Sequence, residues 1–255
     1  MSEEKEYSVF DGVISLGAWC QMGAASRVRG LHIINSPFHN FGIKWWQNVL
    51  DILDKKFDEY WERKNISIGK AVENYSAKYN DKRLVYKVYC NKYYMMSNHH
   101  FDQEDNTPTE LLTYSSFKEK IDVLIDVFYA QCEQYETMLF LFKALSYPRE
   151  TEVSRADLVR FCSVLDTLRA GKSYELRISV PAGLYTKVCQ WVEEEKLKQI
   201  TVYKFDINFN DDFNHSEFAE MLDDVKLAED YYERLNRDIF EITDPYSQHI
   251  SYLNS

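Results

Sequence analysis

The chain reads as an α/β protein: a three-layer sandwich around a largely parallel central sheet, with a β-hairpin and an acidic C-terminal helix. Three observations lead there. From Thr137 to Phe205 short apolar runs alternate with amphipathic stretches, the rhythm of βαβ units. Near the start, an apolar run ending at Leu16 passes through Gly17 into a helix-like stretch. Between Leu84 and Met96, two alternating runs flank Asn91-Lys92, the pattern of a hairpin.

Each element follows from its local pattern. Phe10 to Leu16 predicts a buried strand, bounded by Asp11-Gly12 and Gly17. A helix is expected from Cys20 to Leu31, with Met22, Ala25, Val28 and Leu31 near a helical repeat and Gly30 as its stop. Ser36-Pro37 and Gly42 bracket a loop, because the residue before proline is pushed extended. Trp45 to Trp61 has Trp46, Val49, Leu50, Leu53 and Phe57 on one helical face. After the hairpin and a polar loop, Phe117 to Phe128 carries a helical stripe, and Thr137 to Ala144 is an apolar strand. Helix Arg155 to Leu168, strand Tyr174 to Val180, helix Gly183 to Glu195 and strand Gln199 to Phe205 complete the alternation. Glu217 to Ile242 then reads as one long acidic helix.

A chain of 255 residues with 45% hydrophobic content can bury a full core, and nothing in its composition marks a linker. One domain is expected over residues 1–255, with a core at 7–207 and an acidic helical extension at 208–255 placed to meet a protein partner or a second copy. The first six residues are acidic and polar, and no apolar run reaches the ~20 residues of a membrane helix. A soluble cytoplasmic protein is expected, not a membrane one. Five cysteines without a C-x-x-C pair argue against a disulfide framework and a structural zinc site. A net charge of −11 would repel a phosphate backbone, which disfavours nucleic acid as a partner.

Cys20 is the residue that suggests chemistry. It stands where a strand meets a predicted helix N-terminus, and there the backbone dipoles favour an anion and lower a thiol pKa. A thiolate nucleophile needs a base, and the six histidines supply the candidates. His99 and His100 come off a strand-like run and are the first choice; His39, in the loop after the Cys20 helix, is the second. For the group that would orient the imidazole, Asp102, Asp11 and Asn40 all remain open. Backbone N–H groups near Cys20 and Gln21 would face an oxyanion. Adjacent strand residues point to opposite faces, so His99 and His100 do not suit one metal ion. No metal or cofactor is implied. No G-x-S-x-G elbow exists, so Ser15 and Ser36 read as structural.

The motif Ile14-Ser15-Leu16-Gly17-x-x-Cys20-Gln21, with Arg27-x-Arg29-Gly30-Leu31, Ser36-Pro37-Phe38 and later His99-His100-Phe101, resembles the bacterial papain-like cysteine peptidase family, a domain of otherwise unknown function. The similarity extends to about residue 145. It implies Cys20 as nucleophile and His99 or His100 as base, and it adds a papain-like α+β arrangement as the alternative fold. The family usually shows Pro-Phe-Asp-Trp where this chain has Pro37-Phe38-His39-Asn40. Asn40 partly replaces the lost aspartate. The resemblance implies a cysteine-dependent hydrolase or acyltransferase acting on a small molecule, a peptide or a glycan of polysaccharide biosynthesis. The missing aspartate motivates the rival expectation, a catalytically degenerate protein that binds a sugar or a protein partner.

Overall fold

The computed structural model describes residues 7–17, 36–38, 41–76, 78, 81–144, 152–205 and 220–234. Its parallel sheet has the order β2-β7-β8-β9, formed by β2 (Gly12–Ser15), β7 (Thr137–Lys143), β8 (Ser173–Pro181) and β9 (Ile200–Phe205). β7 is apolar and buried along almost its whole length, as a strand covered on both faces must be. The pairing is in register from Gly12↔Met138 to Ser15↔Leu141, and from Thr137↔Ser173 to Lys143↔Ser179.

Strand order rises steadily across this sheet, so right-handed crossovers place every connecting helix on one face. That face receives Leu158, Phe161 and Leu165 from α3 (Arg155–Arg169) and Val188 from α4 (Ala182–Glu194), against Phe140, Phe142, Ile178 and Val180. Two shorter connections help. Ser154 caps α3 by accepting from the Asp157 amide, while Asp157 returns the bond to the Ser154 amide. The α3 C-terminus ends on Ala170 in the left-handed region, φ 48°. Next to that end, the buried Arg169 guanidinium donates to the carbonyls of Tyr135 at 2.6 Å, Glu136 at 3.0 Å, Ser173 at 3.1 Å and also Cys132. It ties the end of α2 (Tyr114–Gln134) to the start of two strands.

The opposite face carries Val13, Leu139 and Leu141, and Met221, Leu222 and Val225 cover it. Among the described residues this third layer is a turn and a short strand, not a helix. β10 (Val225–Leu227) pairs in parallel with β1 (Ser8–Phe10). The helix expected over 217–242 is therefore interrupted: in the described part, a turn and β10 precede a helical turn at 231–234. Met221, Leu222 and Val225 have helical spacing, but it is the sheet face and the β1 edge that claim them.

A second sheet, antiparallel, lies in the connection between β2 and β7 and was not foreseen. Its order is β3-β6-β5-β4, from β3 (Phe41–Ile43), β4 (Ile66–Tyr75), β5 (Lys82–Cys90) and β6 (Met95–Ser97). The expected hairpin is its β5–β6 pair, with a turn at 91–94. Before it, α1 (Gln47–Asp54) is shorter than the helix expected to run to Trp61. Lys56, Phe57, Glu59 and Trp61 have φ between 51° and 58°, so the chain turns repeatedly instead. Phe57, Tyr60 and Trp61 mimic helical spacing, yet they are taken up by aromatic packing: Phe57 on Phe38 and Phe128, Tyr60 on Phe38 and Tyr93, Trp61 on Phe41 and Phe117. No helix among the described residues is long and apolar enough to cross a membrane.

Candidate active site

The carboxyl end of β2 leads toward Cys20, and the antiparallel sheet is docked directly against it. Gly17, three residues before Cys20, has φ +110°, a conformation open to glycine but strained for other residues. A Cβ there would lie 3.2 Å from the Ile43 side chain and 3.3 Å from that of Phe38. The loop 36–38 is fixed from three directions. The Ser36 hydroxyl donates to the Ser15 carbonyl, and accepts from the Phe38 amide at 3.3 Å. The buried Tyr60 hydroxyl donates to the Pro37 carbonyl at 2.6 Å. Phe38 itself is fully buried among Phe57, Tyr60 and Phe128. Ser15 and Ser36 thus do structural work, as the sequence suggested.

Strand β3 carries this contact on to the histidines. Its Ile43 side chain fills the space where a Cβ on Gly17 would stand, and its Phe41 packs on the His100 ring with centroids 5.2 Å apart. Phe117 of α2 also packs on that ring at 5.4 Å, and the two phenylalanines meet edge to face at 6.2 Å. The His100 Nδ1 lies 2.7 Å from the Ser97 Oγ. Ser97 ends β6, fully buried and paired with both Phe41 and Val88.

His99 goes the other way. Its Nδ1 donates to the Tyr75 carbonyl at 2.7 Å, at the end of β4. β4 and β3 are the two opposite edges of the antiparallel sheet, so neighbouring histidines diverge to opposite edges. Only His100 sits against the strand whose Ile43 fills the space beside Gly17.

The proposed orienting residues separate as well. Asp102 is 2% exposed, its Oδ2 accepts from the Ser76 hydroxyl at 2.9 Å, and its Oδ1 is buried without a hydrogen-bond partner. Burial raises its pKa above the ordinary carboxylate value. It touches neither histidine through a hydrogen bond. Asp11 is at the amino end of β2, away from the edge that leads to Cys20. There its Oδ2 accepts from the Thr137 amide and hydroxyl, each at 2.8 Å, and its Oδ1 accepts from Arg234 at 3.0 Å. Burial would raise its pKa, but these donors outweigh it and lower it. Among the described residues Asp11 is a strand-end clasp, bonded to Thr137 and Arg234. Cys20, Gln21, His39 and Asn40 lie outside the described residues.

Three other thiols, those of Cys90, Cys132 and Cys162, are poor nucleophiles by environment. Burial pushes Cys132 up to about 12 and Cys162 to about 11, and raises Cys90 above its ordinary value. No group of three or more His, Cys, Asp or Glu side chains fit to hold a metal ion occurs among the described residues.

The family described as "Putative papain-like cysteine peptidase" has a model that matches residues 11–177, about two-thirds of the chain. The chain belongs to this family. No curated protein and no solved structure matches it. Cys20, both adjacent histidines and all of the antiparallel sheet fall inside the papain-like match, while α4, β9 and β10 fall beyond it. Three residues around His100 are not among the site candidates that the sequence offers: Ser97, Phe41 and Phe117. Ser97 stands three positions before His100 at the end of an alternating run, which was the one signal that could have pointed to it.

Proposed function

We propose that this protein is a cysteine-dependent hydrolase or acyltransferase in which Cys20 is the nucleophile and His100 the general base. One observation carries the choice of base: His100, unlike His99, packs on Phe41 of the strand whose Ile43 fills the space beside Gly17, three residues before Cys20. In the first step the Cys20 sulfur bonds to a substrate carbonyl carbon, and its proton passes to the His100 Nε2. The carbonyl oxygen takes the negative charge, which backbone N–H groups at residues 20–22 are suited to stabilise. As the tetrahedral species collapses, the carbon–leaving-group bond breaks and the imidazolium returns the proton to the leaving group. Water then resolves the thioester in hydrolysis, or a hydroxyl of an acceptor does so in acyl transfer. Sugar hydroxyls of a polysaccharide pathway are the acceptor class we favour, on the strength of the family resemblance.

The test is iodoacetamide labelling of the intact protein across a pH series, read residue by residue by mass spectrometry. Cys20 is expected to label at neutral pH with a profile displaced below the ordinary thiol value of about 8.5. His100→Ala should slow that labelling by about tenfold at pH 7, while His99→Ala leaves it near wild type. Labelling of Cys20 no faster than that of the half-buried Cys189, or an unchanged profile in His100→Ala, sinks the proposal.

A further inference from the structure

Of the carboxylates that the sequence offers, Asp102 turns to Ser76, and Asp11 to Thr137 and Arg234. We propose that Ser97 is the positioning residue of His100: its hydroxyl oxygen accepts the Nδ1–H bond, fixing the tautomer in which Nε2 carries the lone pair. The inference rests on the thiol–imidazole reading above and deepens it.

The geometry is specific. The Ser97 Oγ is 2.7 Å from His100 Nδ1, and Ser97 is wholly buried, so water cannot substitute for it. Its backbone is held on both sides, by Phe41 and by Val88, which removes the freedom to retreat from the ring. The ring also packs on Phe41 and Phe117, which meet each other beside it. A hydroxyl can donate or accept, and the reaction decides between the two. When the base takes a proton the ring becomes an imidazolium with two N–H donors. Only an accepting oxygen keeps its contact with Nδ1 in both the neutral and the charged ring. Asp102, whose carboxyl turns to Ser76, leaves that position to Ser97.

A hydroxyl differs from a carboxylate in one respect that can be measured. It orients the ring without adding a negative charge, so it gives tautomer selection with little added basicity.

The experiment combines histidine-selective nitrogen-15 labelling of the whole protein with the Cys20 alkylation profile, for wild type, Ser97→Ala and Ser97→Thr. Wild type is expected to show His100 as the Nδ1–H tautomer. Ser97→Ala should give a mixture or the opposite tautomer and slow Cys20 alkylation at pH 7 by about three- to tenfold, while Ser97→Thr, which keeps a hydroxyl, restores both. If wild type shows the Nε2–H tautomer, or if Ser97→Ala leaves tautomer and profile unchanged while His100→Ala slows labelling, Ser97 has no such role and the thiol–imidazole pair stands without it. If His100→Ala itself changes nothing, the pair fails first. Should Ser97→Ala not fold, the wild-type tautomer and the Ser97→Thr profile still decide.

Discussion

Asp102 shows how a single buried group ties stability to pH. It is nearly inaccessible, one oxygen is satisfied by Ser76, and the other has no donor. Such a site favours the neutral acid, so the folded-state pKa lies above the ordinary value of 3.8. The sign follows from linkage: the unfolded chain releases this proton more readily, so the group's contribution is intact below the ordinary value and is lost as pH rises through the folded one. Asp102→Asn keeps an acceptor for Ser76 and cannot ionise. Its thermal midpoint should match wild type near pH 4 and exceed it increasingly toward pH 7, with Cys20 labelling unaltered. A gap that stays flat with pH would remove ionisation as the cause, and slower Cys20 labelling would return Asp102 to the catalytic group. Asp11 has the opposite sense. Its donors lower its pKa, so its contribution is present above the ordinary value and disappears as pH falls through the folded one.

At the scale of elements, α3 shows most clearly how local sequence sets a boundary. The Ser154–Asp157 capping box satisfies two amides that the first turn leaves open. At the other end Ala170 takes a left-handed conformation at φ 48°, where a Cβ is disfavoured. Ser154→Ala should therefore lower the unfolding free energy by about 1 kcal/mol. Ala170→Gly should raise it by up to about 1 kcal/mol. Urea titrations of both variants check the pair, and equal midpoints for the two would contradict it. The same helix was legible in the sequence, as were β7, β8, α4 and β9, because the helices turn one apolar face to the sheet and the strands between them are short apolar runs. β4 was not legible. It is half-exposed along its length, with a register shift between Ile68 and Ala71. The stretch after α1 was misread for the opposite reason: Phe57, Tyr60 and Trp61 have a helical period that aromatic packing, not helix formation, put there.

For the molecule as a whole, the sequence offers candidate residue types for the proposed site but not their geometry. Cys20 and the histidine pair could be named from local pattern, whereas the choice of His100 depends on sheet order, which joins residues far apart in the chain. Ser97 was hidden because a serine at a strand end looks like any other. The same long-range logic governs the layer opposite the helices. There Arg177, 2% exposed in its side chain, donates to the Met221 carbonyl at 2.6 Å, to both Asp224 oxygens at 2.6 and 3.0 Å, and to Glu175 at 2.8 Å. Burial alone would lower its pKa, but these acceptors outweigh it and raise it. Arg177 is also the last residue of the family match, so the clasp joins the shared fold to a segment beyond it. Removing the cation would take a charged donor from the Met221 carbonyl and from both carboxylates, though Glu175 keeps its bond from Thr201 and both carboxylates keep some access to water. Arg177→Met is expected to lower the unfolding free energy by roughly 2–3 kcal/mol, less than for a fully buried pair. The loss should be local first. Amide exchange at residues 221–227 should accelerate well before that of α2 or α3, because β10 is held to β1 by three residue pairs and the turn before it is hydrogen-bonded to β8 through this side chain. Uniform acceleration across the whole chain would mean instead that this layer and the sheet unfold as one unit, and unchanged exchange at 221–227 would mean that Met221, Leu222 and Val225 hold it by apolar contact alone.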